Sequence, residues 1–196
     1  MLMGKKLDWP IPEYWVAPPS FVHWVDAFST EELDLLQNKA KEGHGPATVG
    51  QGTENGKIRR TDITWLCEDE FAWAYDRVAL IVAKVNFQYY RYNLSTIAGY
   101  MQLANYKAKN KGKYDWHLDT GLESMRKLSF ILQLSDPEEY KGGEVQIKVG
   151  PEVEGPLPNS RGDMIIFPSH TLHRVKPVTA GERQSLVAWV TGPGLI

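Results

Sequence analysis

The chain has 196 residues, of which 42% are hydrophobic, 11% aromatic and 23% charged, and its formal net charge is −2. This length and composition predict a soluble globular protein with one domain over residues 1–196, and they exclude an intrinsically disordered chain. The small net charge gives no reason to expect nucleic acid as a partner. No apolar run is long enough to cross a bilayer, and the N-terminus lacks the apolar core of a signal peptide. We therefore expect no membrane association and a cytoplasmic protein.

Residues 1–88 are predicted to form an N-terminal arm followed by supporting helices. Prolines make the first twenty residues an extended arm. A helix follows in FSTEELDLLQNKAKEG, where Ser29 and Glu32 have the spacing of a capping box and Gly43 ends the helix. The glycine-containing stretch 43–57 is predicted to be a loop, either an active-site lid or an ordinary surface loop.

A strand and a second helix complete this N-terminal part. The β-favouring residues of IRRTDITWL predict a strand over 58–66. In residues 70–88, apolar side chains recur at spacings of three and four. That spacing indicates a helix that buries one face.

From Tyr89 onward the sequence changes to short β-type runs separated by turns rich in Gly, Pro, Asp and Ser. The runs predict strands near 89–93, 97–106, 114–118, 126–134, 143–148, 163–167, 173–178 and 184–190. Two helices followed by about eight strands, without strand–helix alternation, predict a mostly β, α+β fold. Its core over 89–192 would be an antiparallel double-stranded β-helix, or jelly roll. An immunoglobulin-like sandwich also fits the strand count, and the ligand set below favours the jelly roll.

A histidine and a carboxylate stand two residues apart in KYDWHLDTG. Because side chains alternate along a strand, His117 and Asp119 are predicted to project from the same face. Such a pair arises often by chance, and a hydrogen-bonded pair at a strand end, without a metal, is the alternative interpretation.

A catalytic metal would need a third protein ligand, and the chain has four other histidines. His23 is assigned to the N-terminal arm and His44 to the glycine loop, where surface positions are expected. His170 and His173 are three residues apart and would face opposite ways on one strand, so one at most joins the site; we choose His173. Two histidines and one carboxylate leave three adjacent positions of an octahedral ion open. That arrangement is typical of non-heme Fe(II) oxygenases and differs from closed structural zinc sites.

An arginine follows ten residues after His173, in HRVKPVTAGERQSLVAWV. TAGE is predicted to be the turn of a β-hairpin between its two flanking strands. Arg183 and Ser185 share one face of the return strand, which is otherwise apolar. Arg183 either caps the turn in solvent or binds a buried carboxylate with its planar fork, assisted by the Ser185 hydroxyl.

Together these motifs resemble the Fe(II)/2-oxoglutarate-dependent dioxygenases, and within them the prolyl 4-hydroxylase-like branch with its bacterial and phage PKHD-type members. The resemblance rests on HxD at 117–119, on His173 and Arg183, and on the stretches LSDPEEYKGGEVQI and GDMIIFPSHTLHRVKPVTAGER. It covers about residues 90–192, with weaker similarity before them. In some animal prolyl hydroxylases, a second tyrosine that binds the far carboxylate of the cosubstrate stands where Gln133 stands here. That contact therefore passes to Ser185 or is absent.

The resemblance implies that His117, Asp119 and His173 hold Fe(II) and are the catalytic residues. It also implies 2-oxoglutarate as cosubstrate and ascorbate as an additional reductant. The residues that bind the cosubstrate would be Arg183, Tyr106 and Ser185. The implied reaction hydroxylates a C–H bond of a prolyl side chain in a peptide or protein, and it releases succinate and CO2.

Three alternatives stay open. An oxygenase of the same type could act on a free amino acid or another small metabolite. A cupin-like metalloenzyme without 2-oxoglutarate would share the metal ligands but would not need Arg183. A non-catalytic jelly-roll binding module would keep the fold around a vestigial metal site.

The neighbours of the HxD motif carry further expectations. Trp116 and Leu118 flank His117 and are predicted to face the core. Arg126 either lines the mouth of the site or lies in solvent. Three aromatic side chains are expected to pack in the core rather than line a substrate pocket: Trp65, Tyr92 and Tyr100.

Overall fold

The computed structural model describes residues 17–42, 46, 56–120 and 125–194. The predicted first helix is confirmed as α1, Thr30–Glu42. Its capping box is formed, because the Ser29 N–H donates to the Glu32 carboxylate over 2.8 Å and the Glu32 N–H donates to the Ser29 hydroxyl over 3.3 Å. The helix end predicted at Gly43, most of the predicted arm and most of the loop 43–57 lie outside the described residues.

The second helix is longer than predicted. Helix α2 spans Glu68–Val85 and continues through a turn of π-helix, Asn86–Tyr90. The strand predicted at 89–93 is therefore wrong. The Asn86 side chain closes this end of the helix, since it donates to the Tyr92 carbonyl over 2.9 Å and accepts from the Tyr92 N–H over 2.8 Å. Tyrosines favour strands in general, but here burial of Tyr90 at the end of the helix overrides that preference.

The described strands pair only in the antiparallel sense. In chain order they are β1 Val22–Trp24, β2 Arg59–Arg60, β3 Asp62–Leu66, β4 Thr96–Ile97, β5 Met101–Lys107, β6 Lys113–His117, β7 Arg126–Gln133, β8 Lys141–Gly142, β9 Val145–Val149, β10 Glu152–Glu154, β11 Met164–Pro168, β12 Leu172–Val175, β13 Val178–Ala180 and β14 Glu182–Thr191. The larger sheet has the order β1-β11-β7-β14-β5-β3, with β4 beside β14. The smaller sheet has the order β10-β9-β12-β6-β2, and β13 pairs with β8. The predicted mostly β jelly roll is confirmed.

The hairpin predicted around TAGE is wrong. Strand β12 pairs with β6 and β9 in the smaller sheet, whereas β14 pairs with β5 and β7 in the larger one. The chain between them forms β13 and then turns at Gly181, which has φ +67° and packs so closely on the Glu139 carbonyl that a Cβ would collide with it. The turn is therefore present, but it carries the chain from one sheet to the other.

The larger sheet buries both of its faces. Along β7, Leu128, Phe130 and Leu132 belong to a hydrophobic cluster that includes side chains of α1 and α2, while Ile131 belongs to a second cluster with side chains of the smaller sheet. This arrangement explains why every residue of the strand from Leu128 to Gln133 is buried. The helices thus pack on one face of the larger sheet. Its other face packs against the smaller sheet, and a site can form between the two sheets.

Candidate active site

Three predicted ligands meet between the two sheets. His117 is the last residue of β6 and lies opposite His173 of β12 in the antiparallel register. Asp119 follows two residues later, with its carboxylate oxygens 3.6 Å from His117 Nε2 and 3.5 Å from His173 Nε2. One ligand atom from each residue lies within 4.8 Å of the others, a spacing that could hold a metal ion. His170 is exposed, as expected for the histidine not chosen.

Hydrogen bonds orient both imidazoles. His117 Nδ1 lies 2.8 Å from the Asp115 carbonyl, and His173 Nδ1 lies 2.9 Å from the Thr171 carbonyl. A carbonyl only accepts, so each Nδ1 carries the proton and each Nε2 presents a lone pair toward the carboxylate. Burial, reinforced by the neighbouring His173, lowers the pKa of His117 to about 3 and keeps this imidazole neutral.

A chain of two serine hydroxyls leads to the Asp119 carboxylate. The Ser129 hydroxyl donates to Asp119 Oδ2 over 2.7 Å, and the Ser129 and Ser169 hydroxyls lie 2.9 Å apart. Because Ser129 gives its one proton to the carboxylate, Ser169 must donate to Ser129. Two imidazole lone pairs and a carboxylate therefore converge on one point, an arrangement of donor atoms that fits a divalent cation.

A cavity of about 410 Å³ contains this cluster. Residues of both sheets line it, including the three predicted ligands, Tyr106 of β5, and Arg183 and Ser185 of β14. The predicted shared face of Arg183 and Ser185 is therefore confirmed, and Arg183 does not cap a turn in solvent.

Arg183 is a buried cation with spare hydrogen-bonding capacity. Its side chain is 1% exposed, and Nη2 donates to Gln133 Oε1 over 2.8 Å. Within the part of the chain that the structure describes, Arg183 Nη1 and Gln133 Nε2 are buried without a hydrogen-bond partner. The guanidinium carbon lies 5.5 Å from the centre of the Tyr106 ring, and Ser185 is paired with Gln133 across the sheet. Buried N–H groups left unpaired are costly, so this cluster fits a carboxylate that would accept from them.

The structure corrects two expectations beside the HxD motif. Leu118 is 49% exposed and lines the cavity, because it lies past the end of β6 rather than under the sheet. Trp116 is partly buried and is covered by Arg174, whose guanidinium carbon lies 4.5 Å from the centre of the Trp116 ring. Neither side chain belongs to the buried core.

Two of the three aromatic residues are also placed differently from the prediction. Trp65 is 49% exposed and lines the cavity, and Tyr100 is 57% exposed and lines an adjoining depression. Tyr92 does pack against the core, as predicted. Arg126 lines the cavity, with its guanidinium carbon 3.8 Å from the centre of the Trp189 ring.

Sequence reasoning missed several residues of the site. Ser129 belongs to a strand that was predicted, but the period of a strand does not show that its hydroxyl meets Asp119. Arg59 and Gln102 both line the cavity and are hydrogen-bonded to each other over 2.9 Å. The two residues are 43 positions apart in the sequence, and no local pattern predicts that they form a hydrogen bond.

Comparison with known proteins identifies the family. The protein-family model described as the 2OG-Fe(II) oxygenase superfamily matches residues 101–191 of the sequence. A PKHD-type hydroxylase from Maricaulis maris is 30% identical over 180 residues, which cover 86% of this chain and 76% of that protein. The chain belongs to the 2OG-Fe(II) oxygenase superfamily. A PKHD-type hydroxylase from Teredinibacter turnerae is 37% identical over 89 residues, but that match spans only 39% of the relative and 42% of this chain.

Solved structures agree on the fold. A prolyl hydroxylase from Trichoplax adhaerens, in complex with a hypoxia inducible factor peptide fragment, has a TM-score of 0.75 at 16% identity, covering 88% of this chain and 83% of that one. A prolyl-4-hydroxylase from Pseudomonas putida has a TM-score of 0.68 at 21% identity, covering 89% and 94%. These similarities show the jelly-roll fold.

Family membership confirms the predicted enzyme class. The chain is a 2-oxoglutarate-dependent oxygenase of the hydroxylase type, and its family implies Fe(II) and 2-oxoglutarate. A cupin-like enzyme without 2-oxoglutarate and a non-catalytic module do not agree with this membership. Among the described residues, no helix has the length and apolar character needed to cross a membrane.

Proposed function

We propose that this enzyme hydroxylates a prolyl residue in a peptide or protein, using Fe(II) held by His117, Asp119 and His173. The observation that carries the proposal is the convergence of three ligand atoms within 4.8 Å, in one cavity with the buried Arg183. The prolyl substrate is supported by the relatives named PKHD-type hydroxylases and by the fold shared with prolyl hydroxylases.

We further propose that Arg183, Tyr106 and Ser185 bind 2-oxoglutarate, and that Gln133 belongs to the same set. Among the described residues, Arg183 Nη1 and Gln133 Nε2 are both buried donors without a hydrogen-bond partner, and both would be satisfied by the far carboxylate of the cosubstrate. Gln133 must turn its oxygen toward Arg183, because a guanidinium only donates, so its N–H groups stay available. In this proposal Gln133 makes the second contact to the far carboxylate of 2-oxoglutarate. The family resemblance had assigned that contact to Ser185 or to no residue.

When bound, Fe(II) and 2-oxoglutarate would supply the oxidising power to place one oxygen atom of O2 on a substrate C–H bond, with succinate and CO2 as coproducts. The residues of the chain orient the reactants. The Nδ1 hydrogen bonds fix both imidazole rings, Ser129 fixes the carboxylate, and Ile131 and Val187 give the cavity apolar walls.

A shallow depression adjoins the cavity and supports a peptide rather than a free metabolite. It shares Trp65, Arg126 and Trp189 with the cavity and continues to Ala98 and Tyr100. A free amino acid would fill the cavity alone, whereas a peptide has residues on either side of the target that could occupy the depression.

The metal and cosubstrate are tested by anaerobic titration of the purified protein with Fe(II) and then 2-oxoglutarate, followed by visible absorption. We expect a band from the chelated keto acid, which is lost in His173→Ala and kept in the matched control His170→Ala. A colourless titration with iron bound would contradict the proposed cosubstrate site.

The substrate is tested by succinate release and a mass gain of one oxygen atom in proline-containing peptides, compared with free proline. Hydroxylation of free amino acids but of none of the peptides would support the metabolite alternative instead. A requirement for ascorbate, a cytoplasmic location and a single domain over 1–196 stay predictions.

A further inference from the structure

The cavity contains a second arginine–glutamine pair besides Arg183 and Gln133. Arg59 of β2 donates from Nη2 to Gln102 Oε1 over 2.9 Å, and its guanidinium carbon lies 4.6 Å from the centre of the Tyr114 ring. Tyr114 in turn stacks on His117, with ring centres 3.4 Å apart. The Arg59 guanidinium is therefore one aromatic ring away from the ligand cluster.

The two pairs lie at different places along the cavity. Gln102 and Tyr106 are four residues apart on β5 and face the same side of the strand. At the rise of a β-strand, their Cα atoms are about 13 Å apart. Tyr106 lies beside Arg183, whereas Gln102 lies beside Arg59. The far carboxylate of the cosubstrate, anchored at Arg183, is therefore assigned to the Tyr106 end of the cavity, whereas Arg59 lies at the Gln102 end.

Arg59 also lacks an acidic partner in the described part of the chain. Among the described residues, no carboxylate lies within ion-pair distance of Arg59, and its Nε is buried without a hydrogen-bond partner. Asp119 is the single acidic residue among the described residues that line the cavity, and it faces the two histidines. A guanidinium keeps its charge at all ordinary pH values, and its fork matches the geometry of a carboxylate.

We propose that Arg59, supported by Gln102 and Tyr114, binds a carboxylate of the substrate and selects substrates that carry one near the reacting residue. This inference rests on the proposed function, because it assumes that the substrate enters this cavity. The carboxylate belongs either to an acidic side chain or to the end of a peptide, and the two sources share the same chemistry at Arg59.

The test measures binding of defined peptides to enzyme loaded with Mn(II) and 2-oxoglutarate without O2, by isothermal titration calorimetry. Each peptide is an amidated alanine hexapeptide with one proline and one further substitution, which is Glu in one member of a pair and Gln in its neutral counterpart. The substitution is moved through all the positions other than the proline. A further pair compares a free C-terminal carboxylate with the amide. We expect at least one Glu peptide, or the free acid, to bind about tenfold to a hundredfold more tightly than its neutral counterpart.

Arg59→Gln is expected to abolish this preference and to leave 2-oxoglutarate binding unchanged. The matched control Arg60→Gln removes the same charge from the next residue of β2, which does not line the cavity, and should keep the preference. Preference for the acid that persists in Arg59→Gln, or wild-type enzyme with no such preference in any pair, would overturn the proposal. Hydroxylation of the neutral peptides under O2 with Fe(II) reports on the proposed prolyl function separately, whatever the result at Arg59.

Discussion

Removal of the Ser129 hydroxyl should weaken metal binding without removing a ligand. Ser129 donates to Asp119 Oδ2 over 2.7 Å, and the Asp119 side chain is only 6% exposed, so water would not readily replace the lost donor. A hydrogen bond to a charged acceptor contributes about 1.5–3 kcal/mol. If the metal-bound state loses that contribution, Ser129→Ala should raise the Kd for metal about tenfold to a hundredfold.

Electron paramagnetic resonance of free Mn(II) measures this affinity directly, without turnover. Ser135→Ala is the matched control, because Ser135 is also a buried serine, 2% exposed, but its hydroxyl accepts from the Gln184 N–H and does not contact the ligand cluster. Thermal unfolding of both variants separates lost stability from lost affinity. A Kd for Ser129→Ala that equals that of Ser135→Ala would refute the idea that this hydroxyl holds the carboxylate for the metal.

Three further changes test the cosubstrate site and the fold. Arg183→Gln should raise the Kd for 2-oxoglutarate about a hundredfold in the anaerobic absorption titration while iron still binds; an unchanged Kd would mean that another residue binds the far carboxylate. Gly143→Ala would place a Cβ 2.8 Å from Arg183 Cδ, so it should weaken 2-oxoglutarate binding more than Gly150→Ala, which has a similar positive φ but no atom within 4 Å of the added Cβ. Equal affinities in the two glycine variants would argue against crowding of Arg183. Ser29→Ala should lower the free energy of unfolding in urea by about 1 kcal/mol through loss of the capping box, and no change would show that the box does not stabilise α1.

Much of the site was predictable because it depends on short spacings. The two-residue period of a strand predicted that His117 and Asp119 belong together, and the turn before His173 favoured that residue over His170. The capping box at Ser29 and Glu32 was likewise readable, since both partners lie within one turn of helix.

Other local interpretations were wrong where packing overrides propensity. The tyrosine-rich stretch after α2 has the composition of a strand, yet it remains helical because the Asn86 side chain binds the Tyr92 backbone and Tyr90 is buried. TAGE does turn the chain, but the strands on its two sides belong to different sheets. Composition shows that a chain turns, and not which strand it will meet next.

The sequence by itself determined the fold class and singled out His117, Asp119, His173 and Arg183 as candidates for one site, because alternation and motif spacing act over a few residues. Only the tertiary structure decided that His173 pairs with His117 in register, that Ser129 supports Asp119, and that Arg59 joins Gln102 beside the same cavity. Those contacts depend on which strands become neighbours in each sheet. Strand pairing is set by burial of the whole core, which no single segment of the sequence encodes.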